Sequence, residues 1–501
     1  MGNQPPPKKL RSLVGLDNPT LVNFAQMWQE PPSDCLSEAG SLFGTARSWF
    51  VRESYVSLFD LILKDALSVQ IINGTAGIGK SSFLLYILAR LRSTGKSVLL
   101  HFHRKATESG RAMFFPKGGG EPQQINTNHP DYDTTFDKWY AQISEDHSYF
   151  LVDGIVSFSN SDYPNIKYVA AKSPSCPLGW METSQNRQDR WLEVWEEKEL
   201  LSYATKVDIE GAVELIHENM VHLGGVSRYA FASGAAKRMA DIAVQQAGAQ
   251  ELFKLVTTGL SAKFENQKVV DRLIHRHPPD GGVGVEGTSF SFASEYVSKK
   301  VAMALAIENE IETATLLTKF QGVGPAGGMR GVLFEAYAAR KIADGGEFPV
   351  KPLGTGTEGS LLLPKTTILQ KDTKQLFKTI YPPEDLAGRL VWPNPDYNLP
   401  AIDTFMLHNS TLMAHQMTDS KSHTLDIGGV KGFLNFFYSL CKDLYKTKPG
   451  QYHLYFVVPR DIYDQFSKSS QPITGPNGKV LQTKEAKEAS ARVSQWVMKV
   501  E

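Results

Sequence analysis

A chain of 501 residues is longer than a single hydrophobic core usually organises, so two or more domains are expected. Its 53 Lys and Arg balance its 53 Asp and Glu, which excludes a global field drawing it to nucleic acid or to a membrane surface, although one basic face is compatible with neutrality. No apolar run approaches the roughly 18 residues of a membrane span, and the N-terminus MGNQPPPKKLR lacks the apolar core of a signal peptide, so a protein with no membrane partner is expected, either intracellular or exported by a route that uses no such signal.

Residues 1–50 are rich in Pro and polar side chains, with scattered aromatics (Phe24, Trp28, Phe43, Trp49, Phe50) and no sustained period, which reads as an arm packed on a neighbouring domain. Lys8, Lys9 and Arg11 form a basic cluster that fits a nuclear import signal or a solvated tail. Cys35, Cys176 and Cys441 are odd in number and far apart, matching neither a disulfide framework nor a zinc site and pointing to a reducing compartment.

From 51 to 275, short β-branched runs alternate with helical stretches: SVQIIN, SSFLLYILARLR, SVLLHFH, HSYFLVD, NIKYVAA. That alternation predicts an α/β domain with a parallel sheet covered by helices on both faces. The segment 276–328 holds two clusters dense in Pro and Gly, RHPPDGGVGVEG and GVGPAGG, and reads as a connector. Residues 329–501 then run helix, strand, further strands, helix, strand, a second α/β domain.

Within the first domain, Gly74-Thr75-Ala76-Gly77-Ile78-Gly79-Lys80-Ser81 fits GxxxxGK[ST] between an apolar strand and a helix, the context that motif requires. Glycines let successive backbone N–H groups face phosphate oxygens, Lys80 neutralises β/γ charge and Ser81 ligands Mg²⁺, so ATP and Mg²⁺ are the expected cofactors. The strand Tyr149-Phe150-Leu151-Val152 ends in Asp153, where a P-loop protein holds its Mg²⁺ through water. Gly154 follows, where hydrolytic members often carry a glutamate, so slow hydrolysis is expected. Lys172 at the next strand end is a candidate γ-phosphate sensor, and Arg228 in GGVSRYAF is expected in a helical lid.

In the second domain, Glu335 falls on the first helix, Asp403 at a strand, and Gln416 and Thr418 on the following strand. Phosphodiester cleavage needs acidic oxygens around one or two Mg²⁺ ions and often a lysine to orient water. An Asp, a Glu and a Gln also fit solvated acids and a satisfied core amide.

Together, INGTAGIGKSSFLLYILARL, FLVDG, GGVSRYAF, GVLFEAYAARKI with GEFPVKPL, YNLPAIDTFML with LMAHQMTDSKSH, and the closing YHLYFVVPRDIYDQF and QWVMKVE resemble Crinkler and retrotransposon-hot-spot proteins, over most of the chain from about residue 50 onward. The resemblance implies an effector in which a P-loop NTPase is joined to a nuclease of the restriction-endonuclease superfamily, acting on DNA and host nuclear proteins in the nucleus, often that of a host cell. On it, Gly74, Gly77, Gly79, Lys80, Ser81 and Asp153 become the nucleotide and Mg²⁺ site, Arg228 an arginine sensor, and Glu335, Asp403 and Gln416 the nuclease site, with Glu335 and Asp403 as its metal ligands. The superfamily's lysine position is Thr418, and Lys421 is the nearest replacement along the chain, with His423 beyond it. The ubiquitin-like N-terminal module and the secretion motifs of many Crinklers are not evident in the first 50 residues. Three readings follow: a nucleotide-gated Mg²⁺-dependent DNA endonuclease causing DNA damage and cell death, a nucleotide-switched nucleic-acid or chromatin binder with an inactive nuclease fold, and a remodelling ATPase.

Overall fold

The computed structural model describes residues 36–37, 49–103, 110–145, 148–154, 165–172, 178–207, 209–231, 236–258, 270, 272–278, 288–319, 327–354, 356–371, 388–393, 402–408, 411–432, 434–435, 452–475 and 477–500. The basic cluster at Lys8, Lys9 and Arg11, the three cysteines and most of the arm lie outside them. The chain divides into two units, Met1–Ser294 and Glu295–Glu501.

In unit 1, β1 (Val69–Asn73), β2 (Val98–His103), β3 (Arg111–Phe115), β4 (Gln123–Asn126), β5 (Tyr149–Gly154), β6 (Lys167–Ala171) and β7 (Arg187–Trp191) form one sheet in the order β4-β3-β2-β5-β6-β1-β7. The run from β2 to β7 is parallel, and β3 and β4 extend it antiparallel. β1 is buried along its whole length, which explains its unbroken apolar spelling. On one face α2 (Lys80–Ser93) buries Phe83, Leu84, Ile87, Leu88 and Leu91, joined by Tyr55, Phe59 and Ile62 of α1 (Glu53–Lys64). On the other, α3 (Tyr132–Glu145) buries Phe136, Trp139, Tyr140 and Ile143 at i, i+3, i+4 and i+7 spacing. Each such side chain contributes about 1.5–3 kcal/mol relative to exposure.

The edge strand β7, RQDRW, has no apolar signature, yet it pairs with β1 from Val69 to Asn73 and its Asp189 accepts from Asn73 Nδ2 at 2.7 Å. Five helices follow: α4 (Glu197–Val207), α5 (Ala212–Leu223), the single turn α6 (Ser227–Ala230), α7 (Ala236–Ala247) and α8 (Ala249–Thr258).

The segment read as a connector is differently organised. Ile274–His277 (β8) and Ser289–Phe292 (β9) pair as an antiparallel hairpin of unit 1, and Ser294 Oγ donates to His222 O at 2.9 Å. At the next residue α9 (Glu295–Glu308) begins unit 2, followed by α10 (Glu310–Lys319). Most of the two Pro and Gly clusters, residues 279–287 and 320–326, lies outside the described residues.

Unit 2 is built on α11 (Gly327–Asp344) and a mixed sheet of β10 (Gly346–Pro352), β11 (Gly359–Leu363), β12 (Thr367–Lys371), β13 (Arg389–Pro393), β14 (Thr404–His408), β15 (Thr411–Met417), β16 (Tyr452–Pro459) and β17 (Val493–Val500). The order is β11-β10-β17-β16-β15-β14-β13-β12, with β15, β16 and β17 parallel at its centre. α9 packs along α11, and α11 lies against β13, β14's neighbour, and β15. The fold is mixed α/β in both units.

Candidate functional sites

The turn from β1 to α2 carries Gly74, Gly77 and Gly79 at φ 135°, 82° and 106°, values a side chain rarely adopts. A Cβ on Gly74 would stand 2.4 Å from Leu192 O, and one on Gly79 2.4 Å from the Tyr55 hydroxyl, so both positions exclude any other residue. Lys80, buried at the first turn of α2, donates through Nζ to Gly74 O at 2.9 Å and Thr75 O at 2.7 Å. Its ammonium thus ties the loop to the helix that follows it. Ser81 follows on the same turn.

Residues that the motif did not reveal clamp this loop from behind. The Tyr55 hydroxyl of α1 donates to Gly79 O at 2.8 Å, and Trp195 Nε1 donates to Ile78 O at 2.8 Å. The Arg52 guanidinium lies 4.6 Å from the Trp195 ring centroid and pairs with Glu199 at 2.8 Å. Arg276 N on β8 donates to Thr75 Oγ1 at 3.0 Å. Nothing in spacing announces such distant partners.

Arg228 sits at the loop rather than on a long lid helix. Ser227 Oγ donates to Gly77 O at 3.0 Å, Arg228 N donates to the same oxygen at 3.3 Å, and Arg228 Nε lies 3.2 Å from where a Gly77 Cβ would be. Asp153 ends β5 opposite Ala171 of β6, and Ala171 stands opposite Ile72 of β1. Asp153 is therefore level with the end of the P-loop strand and two strand spacings away, about 10 Å. Lys172, the candidate sensor, pairs with Glu182 at 2.9 Å.

His275 lies inside the hairpin that touches Thr75. Burial, then the charge of His277, pushes its imidazole down to about 4, and among the described residues its Nε2 has no hydrogen-bond partner. Unfolding raises the group toward the ordinary histidine value of about 6.5, so its stability contribution is full above that pH and is lost as pH falls toward 4. His275→Leu is expected to flatten the melting-temperature profile of unit 1 between about pH 6.5 and 4.5; an unchanged profile would assign the acid sensitivity elsewhere.

The second constellation assembles in unit 2. Asp403 and Gln416 face each other across the β14–β15 pair, continuing the register Thr404↔His415. Asp403 Oδ2 accepts from Gln416 Nε2 at 2.9 Å and from Met417 N at 2.6 Å. Glu335 arrives from α11 and accepts a hydrogen bond from the Trp392 side chain of β13. Burial raises the Asp403 carboxyl well above the ordinary range, and the Glu335 charge adds to it; Glu335 is raised by burial too. The three sequence-selected residues, 81 positions apart at the extremes, thus share one site.

The Gln416 side chain is buried, and among the described residues its Oε1 has no hydrogen-bond partner. An orphaned buried amide oxygen beside two buried carboxylates fits a hard cation, which takes oxygen ligands. Among the described residues no group of three or more His, Cys, Asp or Glu side chains converges to hold a metal.

The lysine position departs from expectation. Thr418 is buried, its Oγ1 accepts from Ser420 N at 3.1 Å and its N donates to Val457 O at 2.9 Å, so it holds the turn that leaves β15. Lys421 lies beyond that turn, is exposed, and its carbonyl accepts from Ser467 N at 2.8 Å. No described contact brings the Lys421 side chain to Glu335 or Asp403. His423 donates through its backbone N to Gln471 Oε1 at 2.9 Å, away from the acids.

No family model matches the chain. It is similar to Crinkler effector protein 15 of Phytophthora infestans, 23% identical over 438 residues, an alignment covering 84% of this chain and 64% of that protein. The chain thus spans under two thirds of the length of the curated relative it matches. This distant similarity supports the resemblance to Crinklers that the motifs carry. Among the described residues no helix is long and apolar enough to cross a membrane.

Proposed function

We propose that the chain is a Crinkler-type effector in which Mg²⁺–ATP binding at the Gly74–Ser81 loop gates a Mg²⁺-dependent DNA endonuclease centred on Glu335, Asp403 and Gln416, acting in the nucleus. The observation that carries the nuclease half is the convergence of those three residues from a helix and two paired strands, with the Gln416 oxygen left unsatisfied. The nucleotide half rests on Lys80 held over the loop between three glycines of positive φ.

Bound Mg²⁺ supplies charge neutralisation for the attacking and leaving oxygens of a phosphodiester. The chain's own residues prepare the rest. Trp392 and Met417 N fix the two carboxylates in orientation, and the Gln416 amide offers a neutral ligand that does not add to their repulsion. In unit 1, Lys80 exchanges two backbone carbonyls for phosphate oxygens, and Arg228, which lies against Gly77, senses the γ-phosphate on this reading. Gating has a covalent route: the hairpin whose Arg276 N holds Thr75 ends at Phe292, and α9 of the nuclease unit begins soon after it, at Glu295.

Thr418 favours a second reading, a nucleotide-switched nucleic-acid or chromatin binder with no cleavage. Incubating supercoiled plasmid with purified protein and Mg²⁺, with and without ATP, decides between them. Nicking or linearisation that ATP alters by about tenfold or more is expected; intact plasmid under every condition, with retained DNA binding, would replace the endonuclease by the binder.

A further inference from the structure

The nuclease reading leaves its site short of a cation, since Thr418 is committed to a turn and Lys421 faces solvent. The missing charge comes from an element with no place in the motif. On α9, which packs on α11, the residues Tyr296, Met303 and Ala306 are buried at i, i+7 and i+10. Lys299 stands on that same stripe, where the helical period calls for an apolar side chain, and its side chain is only 14% exposed. Its neighbour Lys300 instead rests over the Tyr296 ring, 5.6 Å from the centroid.

A lysine this little exposed is retained only if its charge is compensated. Glu295, one turn earlier, gives an ion pair at 3.0 Å, but that carboxylate is 65% exposed and screened by water. The remaining compensation comes from the cleft side: Glu335 and Asp403 are the other two carboxylates acting on the Lys299 ammonium. Burial by itself would depress the group, yet these three acids hold it above its ordinary value, so it stays charged.

We propose that Lys299 is the catalytic lysine of this site, supplied from α9 in place of the strand position occupied by Thr418. This rests on the nuclease reading and adds to it a residue and a role. In hydrolysis, the water oxygen forms a bond to phosphorus as the bond from phosphorus to the leaving sugar oxygen breaks. The water proton passes to solvent and the leaving oxygen takes one up. Lys299 keeps its own protons throughout, donating hydrogen bonds to a non-bridging phosphate oxygen and to the attacking water. An ammonium aimed where charge develops, in a site that excludes bulk water, is worth far more than on an open surface. It also offsets the mutual repulsion of Glu335 and Asp403, which explains how two such acids are tolerated side by side.

The test is single-turnover plasmid cleavage with Mg²⁺ by the full chain. Lys299→Met, which keeps the apolar stem, is expected to slow cleavage by about a hundredfold, the size of one lost transition-state donor, while DNA affinity stays within about threefold. Lys299→Arg is expected to recover part of the rate, and Lys300→Met to leave it unchanged. The sharpest arm is Thr418→Lys added to Lys299→Met, which returns a cation from the strand and is expected to restore cleavage by about tenfold or more, a rescue that a packing role could not give. If Lys299→Met folds poorly, Lys299→Gln and the rescue pair carry the same comparison. Full activity of a folded Lys299→Met protein overturns the assignment and leaves the nuclease reading standing; absence of cleavage by wild type overturns both.

Discussion

The Lys80→Ala protein is expected to bind Mg²⁺–ATP roughly a hundredfold more weakly than wild type. A lysine hydrogen bond to a phosphate oxygen contributes about 1.5–3 kcal/mol, and Lys80 is placed to make two. Against this stands an exchange, because the ammonium must first release Gly74 O and Thr75 O, which it already satisfies. Subtracting about 1 kcal/mol for each bond surrendered leaves roughly 3 kcal/mol, about two decades in Kd. Alanine also strands those carbonyls in the free protein, so a modest fall in melting temperature is expected. Two effects are separated by measuring each protein with and without nucleotide. For wild type, ATP at about a hundred times its Kd adds about 2.7 kcal/mol of stability, whereas the variant should show almost none at the same concentration. Fluorescent-nucleotide titration gives the affinity directly; an unchanged Kd would remove the phosphate-binding role from this loop.

How far the sequence spoke depended on the range of the interaction. The glycine-rich turn from β1 to α2 was readable because its requirements are local: three glycines, a lysine and a strand-to-helix turn fall within eight residues, and the loop has the φ values they imply. The strand carrying Asp153 was readable because a buried apolar run meeting an acid is a short pattern too. Glu335, Asp403 and Gln416 were picked from the order of helix and strands, but each alone is an ordinary residue, and only the resemblance gave them a shared role; the β14–β15 register and the approach of α11 bring them together. Tyr55, Trp195 and Arg276 were invisible because they reach the loop through hydroxyl, indole and backbone groups that leave no spacing rule.

Lys299 was hidden for a different reason. Pro and Gly density drew the connector over residues 276–328, and a helix inside that segment was not weighed as part of a site. The available signal was periodic: in EYVSKKVAMALAIE a lysine occupies the stripe of Tyr296, Met303 and Ala306. The polar edge strand β7 was missed similarly, because pairing with β1, not hydrophobicity, makes it a strand.

Asp403→Asn is expected to move activity and stability in opposite directions, cutting cleavage by on the order of a thousandfold while raising the melting temperature of unit 2 at neutral pH. Activity falls because a neutral amide gives up the charge that holds Mg²⁺, a contribution of several kcal/mol to the transition state. Stability rises because Asn retains the acceptor that Gln416 Nε2 and Met417 N use, while the charge that burial and Glu335 penalise is gone. The sign follows from linkage. Asp403 binds its proton more tightly folded than unfolded, so its favourable contribution is full below the unfolded value of about 3.9 and is lost as pH rises through the folded value. Asn does not lose it, so the variant gains on wild type at pH 7 and the gap closes as pH falls toward 4. A relief of about 1 kcal/mol corresponds to roughly 2–4 °C for a unit of this size. Thermal unfolding at pH 7 and pH 4, beside single-turnover cleavage, tests both halves. A variant that is less stable at pH 7 would make Asp403 a structural acceptor. A variant that cleaves like wild type would place the scissile chemistry away from the β14–β15 pair. The paired outcome, a firmer fold with the chemistry gone, is what a site built by holding two acids against their own repulsion should give.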